Sequence, residues 1–167
     1  MKNKALYLLP FLSFLLMTAC YDVPYLIKPE SEGIFVEDAL GEWKSIKQTA
    51  QSRTITLSIT RESAKTNWYA IKKVDYPTKE VRFLRALVHK VGEHLIFSYQ
   101  DNKFKDFSIF RVSLDTSISP PQINAIALSE DAPRFKTKEE FINFLLSEDA
   151  NSWFKDGYTF KKISENG

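Results

Sequence analysis

The chain contains a single cysteine, Cys20, and it stands directly after the one long, mostly apolar run in the sequence. With no second thiol there can be no intrachain disulfide, no CxxC redox pair and no thiolate metal cluster. Whatever folds downstream must therefore be held by its core. Lys2 and Lys4 precede the apolar run Ala5–Met17, and Leu16-Met-Thr-Ala-Cys20 closes it. A charged start, an apolar stretch and a small-residue cleavage site form the order of an export signal. Thirteen residues fall short of the roughly 20 that a helix needs to cross a bilayer. A plain secretory cut after Ala19 would want a small residue where Met17 stands, which leaves simple secretion as the weaker alternative.

Leu16–Cys20 resembles the bacterial lipobox, with Thr18, Ala19 and Cys20 matching its pattern and Leu16 placed one residue early. The resemblance implies cleavage between Ala19 and Cys20, a diacylglyceryl group on the Cys20 sulfur, and acylation of the new amine by a chain such as palmitate. A single acyl chain holds a membrane only marginally, but each buried CH₂ adds about 0.8 kcal/mol, so two or three chains hold firmly. Residue 21 is Tyr, where an Asp would resemble an inner-membrane retention signal; in a Gram-negative cell the outer membrane is the expected address.

The mature chain, 20–167, is long enough for one domain. Loss of Lys2 and Lys4 leaves 21 basic against 21 acidic residues, a formal charge of zero. No basic face in the sequence points to nucleic acid or to anionic lipid headgroups, either of which would need clustered Lys and Arg. The expected organisation is a signal peptide over 1–19, a tether over 20–33, one β-rich domain over 34–163 and a tail over 164–167. The tether is read from Pro24, Pro29 and the polar end of YDVPYLIKPESEG.

Within the domain, Thr54–Thr60 alternates strictly. Ile55, Leu57 and Ile59 share one face, while Thr54, Thr56, Ser58 and Thr60 share the other. Trp68–Val74, Phe107–Leu114 and Ile123–Leu128 read as further strands. Val81–Tyr99 reads as a hairpin turning at Val91-Gly92, which sets His89 opposite His94 and Val88 opposite Leu95. Thr137-Lys-Glu-Glu140 fits a capping box ahead of the apolar stripe Phe141, Phe144, Leu145 and Leu146. Asp156-Gly157 then closes the helical region, and Tyr158–Ile163 returns as a last strand. About seven strands, a helix and a closing strand predict a mainly β, strongly curved antiparallel meander, closed or nearly closed into a small barrel of about eight strands. Gly41-Glu42-Trp43 opening the first strand, with a helix before the last, resembles the lipocalin and wider calycin pattern. That resemblance implies a barrel with a ligand pocket.

The candidate sites are few. Trp43, Trp68 and Trp153 are candidates to line an apolar pocket, against the plainer expectation that they fill the core. His89 and His94 are weak candidates to hold a metal with Glu93 as third ligand. Glu139-Glu140 and Glu148-Asp149 suit helix first turns better than acid–base work. There is no G-x-S-x-G, H-E-x-x-H, P-loop or dinucleotide-binding glycine pattern. An enzyme is the least favoured class, and no cofactor is expected. The expected function is a non-catalytic, lipid-anchored cell-envelope protein that binds an apolar small molecule or an envelope partner. The alternative is an inhibitor or immunity-type protein that plugs a toxic enzyme with the Asp101–Asp106 or Ser117–Gln122 loop.

Overall fold

The structure, a computed structural model, describes residues 21–46 and 53–163. The signal peptide, Ala19, Cys20 and the 164–167 tail lie outside the described residues.

Eight strands close into an antiparallel barrel. In chain order they are β2 (Gly41–Ser45), β3 (Thr54–Arg61), β4 (Tyr69–Tyr76), β5 (Glu80–Val91), β6 (His94–Asp101), β7 (Phe107–Asp115), β8 (Gln122–Leu128) and β9 (Phe154–Lys162). Each pairs with its neighbour in sequence, and β9 returns to pair with β2, which removes the open edges. A short first strand, β1 (Asp22–Val23), adds to the start of β7. One helix, α1 (Lys138–Leu146), precedes the last strand, followed by a 3-10 segment over Glu148–Trp153. The fold is a lipocalin-like barrel, as expected from the sequence.

Period-two alternation sorts the side chains between two cores. Ile55, Ile59, Tyr69, Ile71, Ala86, Val88 and Phe160 point inward and pack around Trp43, which is fully buried. Eight strands enclose a space just wide enough for side chains to fill or for one small ligand to occupy. Here side chains occupy the middle. The second core lies outside the barrel wall. There Val91, Ile96, Ile109 and Leu128, on the outer faces of β5–β8, are covered by Phe141 and Leu145 of α1 and by Tyr21, Val23 and Ile27.

The capping box of α1 forms as its sequence requires. The Glu140 N–H donates to Thr137 Oγ1 at 3.1 Å, and the Glu140 carboxylate accepts from the Thr137 N–H at 3.3 Å. Of the expected stripe, Phe141 and Leu145 are buried while Leu146 is exposed. Asp156-Gly157 lies inside β9, beside the register shift at Ile126/Ala127, rather than ahead of the strand.

Two further expectations of the fold need correction. The β5–β6 hairpin turns at Gly92-Glu93, so Val91 pairs with His94, His89 with Ile96 and Val88 with Phe97. Gly92 has φ +58, the conformation a two-residue turn demands at its first position and one that costs glycine nothing. Glycine therefore leads the loop, and the register moves by two residues, which keeps every side chain on its face.

The second correction concerns residues 21–33, which are built into the domain instead of standing off as a tether. Tyr21 is 2 % exposed; its N–H donates to the Leu128 carbonyl at 3.1 Å and its hydroxyl to the Pro133 carbonyl at 2.8 Å. Its ring stacks on Phe141 at 5.5 Å. Further on, the Ile34 N–H donates to Val88 O at 2.7 Å. Gly33 allows the close approach, because a Cβ there would stand 2.5 Å from the buried Leu87 side chain.

Candidate functional site

The three tryptophans do not share a pocket. Trp43 sits inside the barrel, with Nε1 donating to the Ala39 carbonyl at 3.0 Å. Trp68 lies outside the wall, where the Arg85 guanidinium covers its ring at 3.9 Å and reaches Glu62 at 3.3 Å. Trp153 packs at the edge of the outer core, with Lys155 Nζ 5.5 Å from its ring centre. Strand parity and the connection after α1 send them to three different surfaces.

His89 and His94 are likewise separated in role. His89 is fully buried in the outer wall, with Nε2 3.1 Å from the Pro29 carbonyl, so Nε2 carries the proton and donates. Among the described residues its Nδ1 has no partner, nor does the Oγ of Ser98 on the same face of the sheet. Burial pushes the His89 pKa down and the Pro29 bond offsets this in part; Lys28 and Lys138 add to the depression and Glu32 opposes it. His94 is half-buried beside the turn and Glu93 is exposed. Among the described residues no three His, Cys, Asp or Glu side chains converge as a metal site. His89 thus acts as a clasp that ties the N-terminal segment to β5.

Each end of the barrel carries an opening. At the end where β6 runs into β7, a small polar pocket of about 170 Å³ is lined by Asp22, Lys73, Arg82, Tyr99, Asp101 and Phe104, among others. Its cations are already engaged: Lys73 pairs with Asp75 at 3.2 Å, and Arg82 with Glu80 at 2.8 Å. The Arg82 contact holds the Glu80 carboxyl below its ordinary range. Asp101 accepts from the Lys103 N–H at 3.0 Å. The volume is below the ~300 Å³ at which small-molecule pockets begin, and the lining is charged rather than apolar.

The opposite end holds a larger open groove of about 820 Å³ between Leu40, Gly41 and Glu42 at the start of β2, the Ser119–Pro121 loop, and Lys162 and Ile163 at the end of β9. Lys162 donates to the Asp38 carbonyl at 3.1 Å and lies 5.5 Å from the Trp43 ring centre, so it closes the barrel beneath the groove. The neighbouring loop is braced at its start. Asp115 Oδ1 accepts from the Ser117 N–H at 2.9 Å and from its Oγ at 2.6 Å, and Pro120-Pro121 follow. Ile118 and Ile163 stand exposed beside it. The sequence marked the Ser117–Gln122 loop only as a possible plug; the groove depends on strand ends about 120 residues apart, and no local pattern announces it.

No protein-family model, curated protein or solved structure matches this chain.

Proposed function

We propose that the mature chain is a non-catalytic, lipid-anchored cell-envelope domain that binds a macromolecular partner through the groove between the start of β2, the Ser117–Gln122 loop and the end of β9. The observation that carries this reading is the contrast between a barrel interior occupied by side chains around Trp43 and an open, partly apolar groove at one end. An apolar molecule would have to displace packed core residues, whereas a partner needs only to cover Ile118, Pro120, Pro121 and Ile163. The anchor rests on the leader sequence and Cys20. A photo-crosslinking residue in place of Ile118 tests the reading in intact cells. The expected result is a discrete protein adduct that excess purified domain competes away. Lipidated protein present in the membrane without a competable adduct would sink it.

One observation favours the inhibitor version of the same surface. The loop's Asp115 turn and paired prolines make it stiff, and a loop that loses little freedom on binding suits the plugging of an active site. Capture of a hydrolase at position 118, with its activity suppressed by the domain, would select that version.

A further inference from the structure

The end of the barrel opposite the groove gathers exposed apolar side chains beside exposed lysines. Phe104, at the tip of the β6–β7 loop, is 65 % exposed and stands between exposed Lys103 and Lys105. The loop is joined to β5 through the Asn102 N–H, which donates to the Phe83 carbonyl at 3.4 Å. Phe83 itself is 58 % exposed, and Val81 and Tyr76 are exposed on the same outer face of β4–β5. Phenylalanine rings flanked by lysines suit a membrane–water boundary, with the rings at the headgroup–acyl junction and the amines among anionic headgroups. Asp22, Asp101 and Asp106 belong to the same end. Asp101 is nearly buried and held by the Lys103 N–H, and Asp22 is held by Ser108.

An independent observation, the position of Tyr21, puts the start of the described chain at that end. Tyr21 is locked between β7 and β8 by its backbone, with its N–H on Leu128 O and its carbonyl accepting from the Ile109 N–H at 3.3 Å. Whatever is bonded to residue 20 therefore starts one peptide unit, about 3.8 Å, from a fixed point of the wall. The next residue, Asp22, lines the same small pocket as Phe104. Acyl chains on Cys20 would leave next to Tyr21, with no further residue between them and the described fold.

We propose that the end of the barrel bearing Phe104, Phe83, Lys103 and Lys105 rests on the anionic bilayer that holds the Cys20 lipid. This orientation depends on the lipid-anchor reading above, and it turns the groove away from the membrane towards a partner. The acylated protein, reconstituted in phosphatidylethanolamine–phosphatidylglycerol vesicles, provides the test. With Cys20 blocked by lipid, Phe104→Cys or Ile118→Cys supplies the only free thiol for a nitroxide label, and both positions are exposed enough to accept it. The expected result is a ratio of collisions with membrane-dissolved oxygen to collisions with a water-soluble nickel chelate that is several-fold higher at position 104 than at 118. Equal ratios on acylated protein would overturn the orientation alone. A mass spectrum showing unmodified Cys20 would overturn the anchor and the orientation with it.

Discussion

His89 Nε2 lies 3.1 Å from the carbonyl oxygen of Pro29, and this bond fastens the N-terminal segment across the outer face of β5. The imidazole is fully buried and its folded pKa is depressed, chiefly by desolvation. The unfolded chain, with an ordinary histidine pKa of about 6.5, then binds more protons than the folded one below that pH. Stability is therefore expected to be full above about pH 6.5 and to fall as the pH drops through it. Urea unfolding at pH 7.5 and 5.5 measures this loss. In His89→Leu the pH dependence over that interval should shrink; an unchanged slope would remove His89 from the account.

Tyr21 carries a second prediction. Because its ring packs on Phe141 and its hydroxyl donates to Pro133 O, Tyr21→Ala should cost about 3–5 kcal/mol and Tyr21→Phe about 1 kcal/mol in denaturant unfolding. A residue in a free tether would change stability by less than about 0.5 kcal/mol in either variant.

These two residues show where the sequence was readable and where it was not. Thr54–Arg61 announced itself because one of its faces meets the barrel core and the other is wetter, so polarity alternates along the chain. Thr137 announced α1 because capping chemistry is local. The run Ala86-Leu-Val-His89 is buried on both faces, which alternation cannot express; Gly33 against Leu87 and Pro29 against His89 come from more than 50 residues earlier in the chain. Pro24 and Pro29 made the first segment look like a linker, although Tyr21, Val23 and Ile27 are all buried. The hairpin faces were legible but its register was not, because only the φ of Gly92 decides which residues form the turn.

The three tryptophans should differ in energetic weight. Trp43→Ala removes the centre of the barrel core and should cost about 3–5 kcal/mol. Trp153→Ala, at the margin of the outer core and partly exposed, should cost clearly less in the same assay. Equal losses would argue against the barrel interior as the principal core.

Gly33→Ala offers a test of the N-terminal docking independent of any hydrogen bond. The added methyl would meet the fully buried Leu87 side chain and stand 3.1 Å from the Glu30 carbonyl oxygen, and overpacking of this kind costs about 1–3 kcal/mol. Thermal unfolding of the mature domain reads it directly. A neutral outcome would mean that the segment lifts away from β5 without penalty.

The proposed lipid on the Cys20 sulfur would sit one residue before Tyr21, whose backbone is bonded to Leu128 and Ile109. The most direct measurement is intact-mass spectrometry of the membrane fraction, with wild type beside Cys20→Ser. The account predicts a mature chain beginning at Cys20 and carrying diacylglyceryl and amide-linked acyl groups, with the Cys20→Ser protein unlipidated. A wild-type protein recovered with its leader intact, or with a bare thiol at residue 20, would contradict it.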